Sequence, residues 1–334
     1  MTRVRSVCSL AKSLGAFAEL VLLYSRTQTS PRDGNLSQFS ASWRNDLAPM
    51  ARLRTGCSSS DSISVMNTNQ TKSDYKTFCR FSNEKEIIGK WLAKWLKTTS
   101  IITNGNGTLS LLDVGHGNLK IMSHCCASLG TLGERIHYVG IDPYQNQYNQ
   151  SDKERIASIL SSVKLVNKKF PYTIPPRRKV RTGHLRVLLF IHTLGNISKH
   201  VPDFPLLIKK VLTASKADYI IAVLGCNESP EIKLRERLRS LFSRPNSVIL
   251  TSKRLENILK RNNKIRYSKT RIRIVLKVPT HPNNFRAICR FFFYSELNQI
   301  DKSVRGKANR LTDQWMRRES IILLQDIFVI EPKK

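Results

Sequence analysis

The chain has 334 residues with 40% apolar content, enough for about two domains, or one domain with a long tail, and for a sizeable core. Lys and Arg number 56 against 24 acids, a net +32, which points to a nucleic acid, an anionic membrane surface or an acidic partner, or simply to solubility, and says nothing about fold. The seven cysteines and seven histidines are scattered, with no C-x-x-C, H-x-x-x-H or H-E-x-x-H spacing. This argues against a zinc ribbon, a redox motif, a disulfide framework or any other metal site.

Residues 1–74 are rich in Ser, Thr, Asn and Gln after Tyr24 and hold no sustained apolar period, so a disordered tail is expected there. Within it, residues 1–27 carry Arg3, Arg5, Lys12 and Arg26 with Glu19 as the one acid, a composition suited to an organellar transit peptide. A reducing, cytoplasmic compartment is the default expectation, with a mitochondrial one as the alternative through residues 1–27. The apolar run Leu14 to Tyr24 is interrupted by Glu19 and too short to span a bilayer, and no integral membrane segment is expected. The tail holds nine basic and five acidic residues, so 47 basic and 19 acidic residues remain on 75–334, a net +28.

From Tyr75 the pattern turns helical. Phe78, Phe81, Ile87, Ile88, Trp91, Leu92, Trp95 and Leu96 recur at three and four residues, one apolar stripe with a cap near Ser82 or Asn83. After the turn Asn104-Gly105-Asn106-Gly107 come a strand at 109–114, a helix from about Asn118 to Leu129 and a strand at 136–141. The first strand ends in Leu111-Leu112-Asp113-Val114-Gly115-His116-Gly117-Asn118, and the second in Val139-Gly140-Ile141-Asp142. An apolar run, a Gly-x-Gly turn and an acid just over twenty residues on form a nucleotide-binding βαβ signature. Gly115 and Gly117 let the backbone approach a ligand. Asp142 can accept two hydrogen bonds from a ribose diol. The third glycine of a dinucleotide fingerprint is replaced by Asn118-Leu119-Lys120, which favours a nucleoside without phosphates, such as S-adenosylmethionine.

A helix at about Gln150 to Ser162 leads to a strand at Val163 to Val166. Pro171, Pro175 and Pro176 with Arg177, Arg178, Lys179 and Arg181 then form a basic loop, either a solvated insertion or a phosphate-contacting surface. The apolar run Val187 to His192 suits a buried parallel strand. A helix at 203–214 and a strand at Tyr219 to Leu224 follow. A basic helix is expected from about Glu231 to Phe242, another at Leu255 to Arg261 and a strand at Arg271 to Val278. Ala287 to Leu297 fits a helix or a strand. Ile321 to Glu331 reads as a terminal strand paired antiparallel at the sheet edge. The expected fold is α/β, a doubly wound Rossmann-like sheet, mostly parallel with an antiparallel terminal strand and helices on both faces. Residues 228–300 are a candidate substrate lid or insertion.

Over roughly residues 78–331 this arrangement resembles the class I S-adenosylmethionine-dependent methyltransferases, through the L-L-D-V-G-x-G turn and the V-G-I-D-P segment. Within that superfamily it is most similar to the histamine N-methyltransferase-like proteins. Phe78-Cys79-Arg80-Phe81 looks like the aromatic-basic start of their first helix, Asp142 to Gln147 like their acidic-Pro segment, Phe190-Ile191-His192 like their fourth strand and Ile327 to Glu331 like their last. The glycine motif is degenerate at His116 and at Asn118-Leu119-Lys120. Lys120 stands where the family carries an acid, and Lys168 and Lys169 where an acid or polar residue commonly follows the third strand.

The resemblance implies S-adenosylmethionine as cofactor, held by Asp113, Gly115, His116, Gly117, Asp142, Gln147, Ile191, His192 and Leu194. It also implies a glutamate toward an amine substrate, Glu84 or Glu86. Methyl transfer needs alignment and a dry site more than an acid or base; where the acceptor must first lose a proton, His192 is the candidate catalytic base, with a satisfied buried histidine as the competing reading. Three functions stay open: a methyltransferase for a small amine or related metabolite, an RNA methyltransferase using the basic surface with Arg177, Arg178, Lys179 and Arg181, and a non-catalytic binding module that keeps the fold. Oligomeric state is left open.

Overall fold

The computed structural model describes residues 68–99, 107–143, 148–168, 183–194, 217–241, 250–297 and 302–333. The expected tail before residue 68, the helix at 203–214, the basic loop at 171–181 and Gln147 lie outside the described residues. The chain divides into units 1–68 and 69–334, and the sheet belongs to the second.

Seven strands form one sheet in the order β3-β2-β1-β4-β5-β7-β6. They are β1 (Thr108–Val114), β2 (Ile136–Ile141), β3 (Ser162–Val166), β4 (His184–Ile191), β5 (Tyr219–Gly225), β6 (Ile265–Lys277) and β7 (Ser320–Pro332). β1 to β5 are parallel, and β7 runs antiparallel to both β5 and β6. The helices are α1 (Thr68–Phe81), α2 (Glu84–Thr98), α3 (Lys120–Cys126), α4 (Gln150–Ile159), α5 (Pro230–Arg239), α6 (Ser252–Lys260), α7 (Pro282–Leu297) and α8 (Lys302–Met316), with a 3-10 turn at Gly130–Arg135. The expected doubly wound α/β sheet with an antiparallel terminal strand is therefore the architecture observed. No helix among the described residues is long and apolar enough to cross a membrane.

β4 shows why this sheet forms where it does. Every residue from Leu185 to Ile191 is buried, as a strand covered on both faces requires. On one face Leu109, Leu111, Val187, Leu189 and Val223 pack with α1, α2, α3 and α7. On the other, Leu112, Leu188, Phe190 and Ala222 pack against Leu255 and Leu259 of α6.

Three expectations need correction, and one left open is resolved. The stripe from Phe78 to Leu96 is two helices, because Ser82 and Asn83 leave the helix to bond the β6 main chain: Ser82 bridges Leu276, and Asn83 N–H donates to Val275 O at 3.2 Å. The terminal strand β7 is not at the sheet edge; β6 lies outside it along 13 residues. Residues 228–300 are no lid or insertion where described, since they supply β6 and the core-packing helices α5, α6 and α7. The Phe291-Phe292-Phe293 run is helical, kinked at Phe293 (φ −122°, ψ 17°). There Phe291 stacks on Phe78 at 4.8 Å and Phe293 meets Trp315 edge-on at 5.5 Å.

The folded unit also begins ahead of Tyr75. Asp74, on α1, is buried and takes a bidentate pair from Arg290 of α7 at 2.8 and 2.9 Å. A chain starting at Tyr75 should be less stable than one starting at Asn69 by about 1–2 kcal/mol, the worth of a charged hydrogen-bonded pair discounted for the exposure of Arg290. Urea midpoints of the two truncations check this; equal midpoints would place the boundary at Tyr75 after all.

Candidate functional site

The strand order reverses between β1 and β4, and in an open α/β sheet the crevice beyond the carboxyl ends of the strands at that point is where ligands bind. β1 ends in Gly115 (φ 78°), His116, Gly117 (φ 55°) and then Leu119 in the left-handed region (φ 62°). Asp142 follows β2, is buried, and its Oδ2 accepts the Gly117 N–H at 3.2 Å. The acid and the turn are thus joined, as the motif spacing implies.

The two glycines serve different ends. A Cβ at Gly115 would lie 2.1 Å from Cγ2 of Thr193, so the space expected for a ligand is filled by a side chain from the end of β4. At Gly117 a Cβ would meet only the Tyr75 hydroxyl, at 3.6 Å. Gly117 is therefore the one of the two glycines whose backbone is left uncrowded by side chains among the described residues. His116 folds back across β2: its Nδ1 lies 3.0 Å from Gly117 O, and a Cβ on Gly140 would come within 2.7 Å of its ring. Gly140 is small for that reason.

Asp113 and Leu194 are both buried. Asp113 lies within the sheet, where Tyr138 donates its hydroxyl to Oδ2 at 2.8 Å. Burial pushes the Asp113 carboxyl up, against the pull of His116 and of that hydrogen bond. The Leu194 side chain is core, packed with Leu112, Val114 and Phe190. Ile191 ends β4, and His192 follows it in a left-handed conformation (φ 60°), its N–H donating to Val223 O at 3.2 Å. Such a backbone outlier is tolerated by His more than by most residues, and outliers of this kind gather at functional sites.

That conformation turns His192 toward Glu84 at the start of α2. The imidazole Nε2 lies 3.2 Å from Glu84 Oε1, an ion-pair distance, though out of line for a hydrogen bond. Glu84 is 4% exposed. Lys85 Nζ stands 3.2 Å from its Oε2, and Gln325 Nε2 of β7 donates to its Oε1 at 2.5 Å. Burial pushes the Glu84 carboxyl up, but His192, Lys85 and the Gln325 amide outweigh it and hold the group well below the usual carboxylate range. Burial likewise draws Lys85 down, and Glu84 and Tyr75 raise it above its ordinary value. The Lys85 ammonium also lies over the Tyr75 ring, 5.4 Å from its centroid. Glu86, the other glutamate considered, is on the outer face and pairs with Lys90 at 2.6 Å. Of the two glutamates, Glu84 is the one beside His192.

Four contributors are not evident from motifs: Tyr75, Lys85, Thr193 and Gln325. The pair Gln325-Asp326 breaks an otherwise apolar strand from Ile321 to Ile330, which is the signal available for Gln325. Its Nε2 is fixed by Glu84, and among the described residues neither its Oε1 nor the buried Thr193 Oγ1 has a hydrogen-bond partner. Unmet buried acceptors cost about 1–3 kcal/mol each, and such a cost is relieved by a ligand or water donor.

A further carboxylate stands nearby. Glu231, on the first turn of α5, is buried, accepts the Ser229 hydroxyl and interacts electrostatically with Glu84. Burial pushes it up to about 7, against the Ser229 hydrogen bond and Arg235. Because its folded pKa is raised, its stabilising effect is complete below the ordinary value of 4.5 and is lost as pH rises through about 7. Glu231→Gln should therefore flatten the fall in stability across that window. Urea midpoints at both ends of the window test this, and an unchanged slope would remove Glu231 as its source.

No protein-family model matches the chain, and no curated protein is similar to it in sequence. Among solved structures it is similar to a cyclopropane-fatty-acyl-phospholipid synthase-like protein from Lactobacillus casei, with 12% identity, 73% of this chain and 92% of that one covered, and a TM-score of 0.43. It is also similar to magnesium protoporphyrin IX methyltransferase from Synechocystis with bound SAH, at 10% identity, covering 79% and 94%, with a TM-score of 0.39. A small RNA methyltransferase is matched at 9% identity over 72% of this chain and 26% of that one, with a TM-score of 0.34. With about nine residues in ten different, no residue role is carried over from them.

Proposed function

We propose that this protein is an S-adenosylmethionine-dependent methyltransferase that acts on a small amine or related metabolite. The observation that carries the proposal is a pair of polar groupings at the carboxyl ends of neighbouring strands: Asp142 bonded to the Gly117 turn after β1 and β2, and the buried Glu84 and Gln325 with His192 after β4. A carboxylate has about four acceptor sites, so the Gly117 N–H does not exhaust Asp142, which suits it to a ribose diol. Asp142 and Gly117, with Ile191 and His192 at the end of β4, would hold the adenosyl half, and the sequence resemblance adds Gln147.

The cofactor supplies a sulfonium-activated methyl that an amine lone pair can take in line. Glu84, kept ionised by its neighbours, and the unpartnered Gln325 Oε1 are acceptors for the N–H groups of such an amine. His192, held beside Glu84, is placed to take the proton an ammonium must lose before its nitrogen is nucleophilic. Tyr75 over Gly117 and the tryptophan-bearing α2 help exclude water.

The binding-module reading is supported by a separate observation. Glu84 already has Lys85, His192 and Gln325 about it, so a ligand amine must share a satisfied carboxylate. The RNA reading rests on the net +28 of residues 75–334. Thermal-shift titration with S-adenosylhomocysteine, beside labelled methyl transfer into a small-amine panel and into total RNA, separates the three. Label in an amine supports the proposal, label in RNA alone replaces its acceptor, and a shift without label leaves a cofactor-binding module.

A further inference from the structure

The outer strand β6 leaves one side of the sheet open. Val275 turns both backbone groups outward, where its N–H donates to Asn83 Oδ1 at 2.8 Å and its carbonyl accepts the Asn83 N–H. Pairing with β7 runs without a bulge from Ile265 to Lys277. The two-residue period of an antiparallel ladder therefore aims the N–H and C=O of Lys269, Arg271 and Arg273 to that same outer side. No described residue bonds them there, and all three residues are exposed. Asn83 caps the end of the edge, and among the described residues nothing pairs with the rest.

This edge is strongly basic. Between Leu250 and Lys277 ten Lys and Arg residues, all exposed, stand against one acid, Glu256. Glu256 pairs with Lys260 and Lys269, and Arg271 pairs with Asp326 and Glu228. Arg273 and Lys277 have no acidic partner among the described residues. Positive charge on an edge strand guards against self-pairing, because a second copy would set like charges opposite one another. The same charge favours an acidic strand, so repulsion of one partner and attraction of another come from one set of residues.

We infer that the open edge of β6 binds an extended acidic peptide by strand addition. The peptide main chain pairs with Lys269 to Arg273, and its alternate carboxylates meet the basic side chains. A single-stranded nucleic acid would be drawn by the charge but would gain nothing from the outward main chain. It also needs exposed rings for base stacking, whereas Tyr267 packs on Phe328 at 6.1 Å.

Fluorescence anisotropy of the full chain tests this with a labelled octapeptide alternating Glu and Thr, and with the same peptide N-methylated at alternate residues. The unmodified peptide should bind at low salt, and N-methylation should weaken it about ten-fold or more, since several backbone bonds are lost with charge unchanged. Lys269→Pro removes an outward N–H at a position where an edge strand tolerates proline, and should weaken the peptide similarly. Arg273→Glu should weaken it with the backbone intact. Equal affinity of the N-methylated peptide, equally strong binding of an oligonucleotide of the same charge, or no peptide binding would each overturn strand addition. If Lys269→Pro does not fold, the N-methylated peptide against the unaltered chain still decides.

Discussion

Glu84→Ala should lower stability by about 3–5 kcal/mol, the usual penalty for removing one partner of a buried ion pair. The reason is what stays behind: Lys85 without its closest carboxylate, His192 without its neighbouring charge, and Gln325 Nε2 without an acceptor. For a domain of this size the melting temperature should fall on the order of 10 °C. The pH dependence has a definite sign. A carboxyl held low in the folded state contributes above its ordinary value of 4.5, and that contribution is lost as pH falls through the folded value. Glu84→Ala should thus flatten the acid limb of the stability curve. The double variant Glu84→Gln, Lys85→Met should recover part of the loss, because a charge left unpaired is worse than none. Calorimetry across pH checks all three, and an unchanged melting temperature in Glu84→Ala would mean that the pair contributes nothing net.

Asp142→Ala should weaken S-adenosylhomocysteine binding ten-fold or more, since hydrogen bonds to a charged acceptor contribute about 1.5–3 kcal/mol. Part of the loss is indirect, because Asp142 Oδ2 also receives the Gly117 N–H and helps set the turn. Asp142→Asn retains one carbonyl acceptor at the same size and should lose less. Isothermal titration of the three proteins measures the series. Unchanged affinity in Asp142→Ala would place the nucleoside elsewhere, and the proposed methyl transfer would lose its cofactor site.

The parts of the fold legible in the sequence are those set by local pattern. β2 was expected at 136–141 and lies at Ile136–Ile141; β1 was expected at 109–114 and starts one residue earlier. Both are apolar runs closed by a turn that a Gly or an acid marks. The antiparallel direction of β7 was legible too, but not its place between β5 and β6. The apolar run of β7 marks a buried strand but does not say which strands flank it, so its lateral neighbours are not written in the period.

The site divides in the same way. The Gly turn and Asp142 are close in sequence, and their meeting follows from one βαβ unit. Thr193 filling the space at Gly115, and the choice of Glu84 over Glu86, depend on contacts across 78 and 108 residues of chain. Glu84 and Glu86 are both in the first turn of α2 and differ only in the face they occupy. The break at Ser82-Asn83 sets which face turns inward, and that break is made by the main chain of β6, nearly two hundred residues away. Sequence determined the strands, the turn and the acid that closes it, because those obey a local period; tertiary structure alone decided which polar groups share the crevice, because burial and partner are properties of elements brought together from opposite ends of the chain.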